Sequence, residues 1–415
     1  MAQHSPPPAA RLAPGRAFPA FRSRNFRLWF CGQLFSLFGT WMQSTAQQYL
    51  VYELTGSKAK LGLVAFASGI ASVLLMLYGG VVADRMPRRN LMLITQTAMM
   101  LLAFVLALLT LTGLVQFWHI LVLAFLLGAA NAFDTPARLA FQLELVGRED
   151  LTNAIALNGT MFNLSAVVGP AVAGLVYGLL GPTWCFAFNG LSFLAIIAAL
   201  LLMRDLRPTP RSERRAGLAQ LGESLRYVAH EPIVRAIFAL VGTVAMFGIS
   251  FATLLPAWAT ETLGGDHYLF SYLTAARGLG AVLSALMLAS LGRVRTRGRL
   301  LTIGSFLFPP LLAIFALVRW WPLALVLLAG VGVGTVLVFN LANSFVQELT
   351  PDALRGRVMG LYGLVFTALM ALGGLLAGWI AQGVSSMAMV VAGAGICLAE
   401  AAWLYLRMPR LRALE

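Results

Sequence analysis

Twelve apolar stretches, each long enough to cross a lipid bilayer as a helix, set the terms on which this chain can fold. They fall at residues 27–52, 61–83, 91–113, 117–140, 152–179, 184–203, 233–261, 268–291, 300–318, 322–347, 357–381 and 386–406. A helical span needs about 20 predominantly apolar residues. Hydrocarbon offers no partner to an exposed backbone N–H or C=O, so an open sheet is excluded, and a closed barrel would need short alternating strands that this sequence lacks. Composition agrees, since 59% of the 415 residues are hydrophobic and 11% are charged. A soluble domain carries about 25% charged residues. A soluble enzyme, a fibrous protein and a disordered chain are therefore excluded. The expectation is an all-α membrane protein.

The charges are placed as such a protein requires. The chain holds 30 Lys and Arg against 16 Asp and Glu, a net charge of +14. With twelve spans, both termini and every second loop share one side. That side takes Arg11, Arg16, Arg22, Arg24 and Arg27, the loop residues Arg85, Arg88, Arg89, Arg138 and Arg148, and seven Arg between positions 204 and 235. It also takes Arg293, Arg295, Arg297, Arg299, Arg355, Arg357, Arg407, Arg410 and Arg412, making 26 of the 30. The opposite side receives Lys58, Lys60 and Arg319. Basic residues accumulate in cytoplasmic loops, so the count predicts both termini in the cytoplasm and leaves no basic domain for nucleic acid. Cys31, Cys185 and Cys397 lie in apolar runs without metal-ligand spacing. The four histidines are scattered, there is no Walker loop, and no cofactor, metal or enzyme site is expected.

The longest polar segment, 204–232, divides the chain. Residues 1–25 read as a cytoplasmic tail without fixed structure, 26–203 as one six-helix half, 233–406 as the other, and 407–415 as a second tail. The halves resemble each other. At an offset of 204 residues Glu144-Leu145 falls on Glu348-Leu349, Gly159 on Gly363, Phe162 on Phe366, Gly169 on Gly373 and Ala173-Gly174 on Ala377-Gly378. At an offset of 208, Arg85 falls on Arg293 and Arg89 on Arg297. Two parallel repeats place a substrate site near the midplane between them.

Three motifs carry a family resemblance. The loop after span 2, Gly79-Gly80-Val-Val-Ala-Asp84-Arg85-Met-Pro-Arg88-Arg89, resembles the signature of the major facilitator superfamily, with Pro87 at the usual second glycine. The resemblance implies twelve transmembrane helices in two pseudo-symmetric six-helix halves. It also implies a cytoplasmic latch in which Gly80 permits close helix approach, Asp84 pairs with Arg or faces a helix N-terminus, and Asp134 pairs with Arg85 or Arg88. Arg88 and Arg89 also satisfy the charge rule by themselves. Span 5 carries Ser165-x-x-x-Gly169-Pro170-x-x-Ala173-Gly174, similar to the superfamily's antiporter motif and equally readable as small-residue packing. The segments Asn131-Ala-Phe-Asp134-Thr-Pro136-Ala-Arg138 and Asp150-Leu-Thr-Asn153-Ala-Ile-Ala-Leu-Asn158 are similar to the enterobactin-exporter-like, or transmembrane secretion effector, branch. Many members of that branch carry Arg where this chain has Ala166.

Polar residues inside the spans are the candidates for function, because lipid penalises them. Gln33, Ser36, Thr40, Gln43 and Gln47 follow one another at steps of three and four, a single helical face. That face lines a cavity or hydrogen-bonds a neighbouring helix. The resemblance puts spans 1, 4, 7 and 10 around a central cavity, which adds Asn131, Thr243, Ser250, Asn340 and Asn343. Arg277 is the one basic residue deep in a span, as an anion-binding or coupling group or as a structurally paired cation. Glu53 and Glu261 end spans 1 and 7 at corresponding positions, as gate or proton-accepting groups or as interfacial carboxylates. Glu400 in span 12 is expected to snorkel or to pair with Arg407.

The expected function is export of a small amphiphilic compound, drug-like or siderophore-like, by alternating access. Protons are the expected coupling ion. The setting is a bacterial inner membrane and the transporter a monomer. An importer of the same fold and a non-transporting membrane sensor are the alternatives.

Overall fold

A computed structural model describes residues 19–147, 149–206, 218–291 and 297–409. Arg11, Arg16, Arg148, Arg207, Arg211, Arg214, Arg215, Arg293, Arg295, Arg410 and Arg412 lie outside the described residues, as do most of both tails and part of the central loop. Twelve long helices account for nearly everything else, and no strand occurs among the described residues.

The first six are α1 (Arg24–Thr55), α2 (Lys58–Arg85), α3 (Arg88–Leu111), α4 (Phe117–Val146), α5 (Leu151–Leu180) and α6 (Pro182–Leu202). The last six are α7 (Pro232–Thr262), α8 (His267–Leu291), α9 (Arg297–Leu317), α10 (Trp321–Leu349), α11 (Asp352–Gly383) and α12 (Ser386–Arg407). Short connections enforce antiparallel neighbours. Ser23 caps α1 by accepting from the Phe26 N–H, and Gly56 ends it at φ 57°, a left-handed conformation that glycine adopts freely. Ser57 then caps α2. The face on which α1 begins and α12 ends is the terminal face.

Eleven of the twelve are long and apolar enough to cross a membrane. The exception is α1, whose Gln, Ser and Thr residues hold down its hydropathy. It is 32 residues long nonetheless. The central loop is not all loop. Leu218–His230 forms a short helix, held to the second half by a Glu223–Arg357 ion pair and by the Tyr227 hydroxyl donating to the Leu349 carbonyl.

Each half builds its own apolar core. One pair of clusters centres on Phe26, Trp29, Phe141 and Phe193 and on Leu106, Ile120, Cys185 and Phe186. The other centres on Ile237, Phe308, Val338 and Phe345 and on Phe251, Trp258, Phe270 and Phe315. Within a half, α1 packs on α5 and α6, and α2 on α4. Between halves, α2 packs on α11 and α5 on α8.

Some positions matched in the sequence have similar surroundings in the structure. A Cβ added to Gly169 would lie 2.4 Å from the Trp41 Cβ and 3.2 Å from the Met42 nitrogen, and one at Gly373 would lie 2.2 Å from the Met246 carbonyl oxygen. Met42 and Met246 are themselves 204 residues apart. The same offset relates Gly128, pressed on Ser68, to Gly332, pressed on Arg277. Arg88 donates to Glu144 at 2.8 Å, and Arg297 donates to Glu348 at 2.6 Å. Each of these pairs joins the start of one helix to the end of another in its own half.

Helix α7 is regular only in part. It runs as α-helix to Thr243, as π-helix over Val244–Gly248, as 3-10 helix over Ser250–Leu254, and as π-helix again over Trp258–Thr262. Pro256 withholds a backbone donor within this stretch, which forces the ladder to shift. Single π turns of this kind recur at functional sites.

Candidate functional site

Among the described residues, the side-chain hydrogen bonds and ion pair that join the first six helices to the last six gather at the end of the bundle away from the terminal face. Lys58 Nζ, at the start of α2, lies 2.6 Å from Glu261 Oε2 on α7. Tyr52 on α1 donates its hydroxyl to the same carboxylate. Gln382, near the end of α11, accepts from the Lys58 N–H at 2.9 Å and from the Ser57 hydroxyl at 3.3 Å. Beneath them Tyr49 and Tyr177 pack around His267, with ring centroids 5.7 and 5.3 Å away. Small residues make this closure possible. A Cβ at Gly62 would sit 2.5 Å from the Gly374 oxygen, and one at Gly278 would sit 2.5 Å from the Ala166 oxygen. In the span 5 motif, Gly174 abuts Ser271 of α8, whereas Gly169 and Pro170 are buried within the first half. Ser165 and Ala173 are also buried, Ser165 without a hydrogen-bond partner among the described residues.

Glu261 thus bridges the halves. Glu53, its counterpart, accepts from the Tyr177 hydroxyl inside the first half.

At the terminal face the loop motif is arranged differently from the expected latch. Asp84 and Arg85 are exposed. Arg88 pairs with Glu144 and Arg89 donates to the Leu201 carbonyl at 3.0 Å, both within the first half. The expected pairing of Asp134 with Arg85 or Arg88 is not formed. Asp134 is 1% exposed and accepts from Thr95 Oγ1 at 2.7 Å and Gln96 Nε2 at 3.0 Å, with Arg138 Nε 3.8 Å away. Nearby hydroxyl and amide donors thus satisfy it where an Arg was expected. Gly80 is not the close-approach residue either. A Cβ there would meet nothing within 4 Å, whereas one at Gly79 would lie 2.2 Å from the Ala132 oxygen on α4.

The span 1 stripe divides. Gln33, Ser36 and Gln43 are buried, and Gln43 accepts from Asn189 Nδ2 of α6 at 2.7 Å. Gln33 Oε1 has no partner among the described residues. Thr40 is exposed and bonds back to the Ser36 carbonyl, and Gln47 is half-buried. Trp41, on the side of α1 turned away from α6, meets Phe162 of α5 edge-on at 5.5 Å, with Phe162 itself 52% exposed. Exposed Ser44 and half-buried Gln48 lie on that side too. Asn131 bonds to the Leu127 carbonyl within α4. On α7, Ser250 is buried, its hydroxyl without a partner among the described residues, and the Thr243 carbonyl accepts from the Cys397 thiol at 3.9 Å. On α10, Asn340 is exposed and Asn343 accepts from Gln347 Nε2 at 2.6 Å.

Two charged groups lie well inside the spans of the second half. Glu400 does not pair with Arg407. It faces Thr243, and its Oε2 is buried without a partner among the described residues. Arg277 is half-buried on α8 and makes neither an ion pair nor a hydrogen bond among the described residues.

Sequence reasoning passed over Gln382, Asn189, Ser44 and Gln48. Asn189 was detectable as a lone amide in an apolar span, the kind of residue that lipid selects against.

Known proteins agree with this architecture. Residues 15–415 match the family described as transmembrane secretion effector. An enterobactin exporter, EntS, of Shigella boydii is 28% identical over 345 residues, covering 81% of this chain and 80% of that protein. The EntS of an Escherichia coli O139:H28 strain matches equally. Among solved structures, a bacterial homolog of the human lysosomal transporter Spinster superposes with a TM-score of 0.75 at 12% identity, covering 97% of this chain and 99% of that one. The nucleoside transporter NupG superposes at 0.67 and 17% identity, covering 92% of this chain and 97% of that one. The chain is a multi-pass membrane transporter of small molecules and belongs to the transmembrane secretion effector family of the major facilitator superfamily.

Proposed function

We propose that this protein exports a small amphiphilic compound across the inner membrane of a bacterium, working as a monomer by alternating access. In this reading all twelve helices span, including the polar α1, in two halves of six. The terminal face is cytoplasmic, as the Arg distribution favours. The likeness to EntS proteins supports export over import, and an amphiphile of siderophore size suits the polar and aromatic residues of α1 and α5.

The observation that carries the reading is where the halves are joined. Lys58–Glu261, Tyr52–Glu261 and the Gln382 bonds close the end away from the termini. At the terminal face the repeated Arg–Glu pairs stay within their halves, and added Cβ atoms at Gly80, Gly159 and Gly360 would meet open space. Such an arrangement is closed outward and open inward. Rocking would break the outer bridge and bring Asp84 and its arginines against the other half. Protons are the coupling ion of the proposal, with the outer carboxylates Glu53 and Glu261 as the groups they reach when the outer end opens.

Cross-linking tests the bridge. With Cys31 replaced by serine, the pair Ser57→Cys and Gln382→Cys joined through disulfides by a short bis-methanethiosulfonate cross-linker should lower transport to background, and a thiol reductant should cleave the link and restore it. Full transport by the cross-linked protein would overturn the rocking scheme. Inverted vesicles acidified inside should accumulate a labelled amphiphile, and uptake by right-side-out vesicles instead would favour the importer.

A further inference from the structure

We propose that Arg277 is the anion-binding group of the substrate cavity and that the exported compound is an aromatic organic anion, bearing a carboxylate, phenolate or sulfonate. This deepens the export reading and rests on it.

Helix geometry places the guanidinium. Residues advance by about 100° along a helix. The exposed Tyr272, Leu279 and Leu283 mark the lipid side of α8, and Arg277 lies roughly opposite them. Its neighbour Gly278 packs on the Ala166 carbonyl of α5, while Gly169, one turn along α5, packs on Trp41 of α1. Arg277, Trp41 and Phe162 therefore occupy one layer of the bundle interior, with exposed Thr40 and Ser44 beside them on α1.

Nothing among the described residues neutralises this cation. Glu53 and Glu261 are engaged at the outer end. Asp134 is held by Thr95, Gln96 and Arg138, and Glu400 of α12 faces Thr243 of α7. A charged side chain at the centre of a span is costly and persists where a partner or water compensates it. An unpaired guanidinium kept at that depth is explained by a counter-ion that arrives with the ligand. Guanidinium forms paired, charge-assisted hydrogen bonds to planar oxyanions, and the Trp41–Phe162 pair offers an edge and a face to an aromatic body.

Matched probes test the assignment: dansylglycinate and its neutral amide, bound to the purified full-length protein and followed by fluorescence polarisation. Wild type should prefer the carboxylate by about tenfold or more, as a charge-assisted hydrogen bond implies. Arg277→Gln should lose that preference while keeping amide affinity, and Arg277→Lys should retain part of it. Trp41→Leu should weaken both probes alike. Equal binding of the two probes by wild type, binding of neither, or an unchanged preference in Arg277→Gln at an unchanged melting temperature would each overturn the proposal. Failure of the export reading is distinguishable. In that case the carboxylate preference persists, but inverted vesicles accumulate no probe.

Discussion

Helices α1 and α7 are equivalent members of the two halves, and they have solved the same problem in opposite ways. Helix α1 is an unbroken 32-residue helix studded with amides and hydroxyls, too polar to register as a span. Helix α7 is strongly apolar, with 61% of its most apolar window buried, yet its backbone passes through two π segments and a 3-10 turn. One copy places polarity in side chains. The other places it in backbone groups freed from the regular ladder, beside a Ser250 hydroxyl without a partner among the described residues. The duplicated fold thus preserves the contacts around these helices while letting their chemistry diverge.

The sharpest way to break this comparison is at the glycines that press on them. Gly169 meets the Trp41 side chain and the backbone of α1, whereas Gly373 meets the Met246 carbonyl carbon and Cα within the π segment of α7, at 2.8 Å each. The Trp41 Cβ is tied to its backbone, but it is a single atom at 2.4 Å, whereas the Met246 peptide presents three backbone atoms within 2.8 Å, so more must be displaced at Gly373. Overpacking costs about 1–3 kcal/mol. Gly373→Ala should fall at the top of that range and Gly169→Ala at the bottom. Thermal unfolding in detergent, read by tryptophan fluorescence, orders the two variants. Equal losses would mean that the irregular backbone is as compliant as the regular one.

The second prediction concerns how each helix meets its outer partner. Gln43 of α1 accepts from Asn189 of α6. The equivalent place in the second half sets the Phe247 carbonyl against Gly393 of α12, with no side-chain hydrogen bond. Gln43→Leu strands a buried amide, which costs about 1–3 kcal/mol, whereas removing both partners together approaches neutrality. The double variant Gln43→Leu with Asn189→Leu should therefore be more stable than either single variant in mixed-micelle denaturation. Additive losses would show that the pair does not act as a unit.

These contrasts also mark what could be read from residues alone. Span ends were legible to within a few positions, as with 152–179 against the observed Leu151–Leu180, because lipid admits little besides apolar helix. Part of the repeat has a counterpart in contacts, Gly169 and Gly373 pressing on positions 204 residues apart, but the match of Arg89 with Arg297 does not, since Arg88 makes the pair that corresponds to Arg297 with Glu348. The face of α1 was legible as a face, but not what it turns toward. Gln33, Ser36 and Gln43 are buried, with Gln43 held by α6, while Ser44 and Gln48, outside the stripe, lie on the interior side. One residue is about 100° of rotation, which also separates Gly79 in contact from Gly80 in open space. The π segments of α7 were invisible, since hydropathy reports side chains and not backbone register. Asp134 was assigned to Arg85 or Arg88 on the resemblance, and the Thr95 and Gln96 that bind it belong to another span.

The repeated ion pairs offer the smallest and most discriminating contrast. Arg88 and Glu144 have side chains 16% and 12% exposed, while those of Arg297 and Glu348 are 28% and 46% exposed. Equal geometry in unequal solvent should have unequal worth. Exposed pairs contribute about 0–1 kcal/mol and lose that to screening, whereas removing one partner of a buried pair leaves a charge with neither water nor counter-ion. Glu144→Gln should then cost about 1–2 kcal/mol and be insensitive to salt. Glu348→Gln should cost less than about 1 kcal/mol, and the difference from wild type should shrink as ionic strength rises, since 1 M salt screens charges beyond about 3 Å. If the two variants lose stability equally at every salt concentration, burial is not what separates the two halves at this joint. The Ser344 hydroxyl, within 3.3 Å of Glu348 and 3.4 Å of Arg297, would then be compensating for exposure, and Ser344→Ala would uncover the difference.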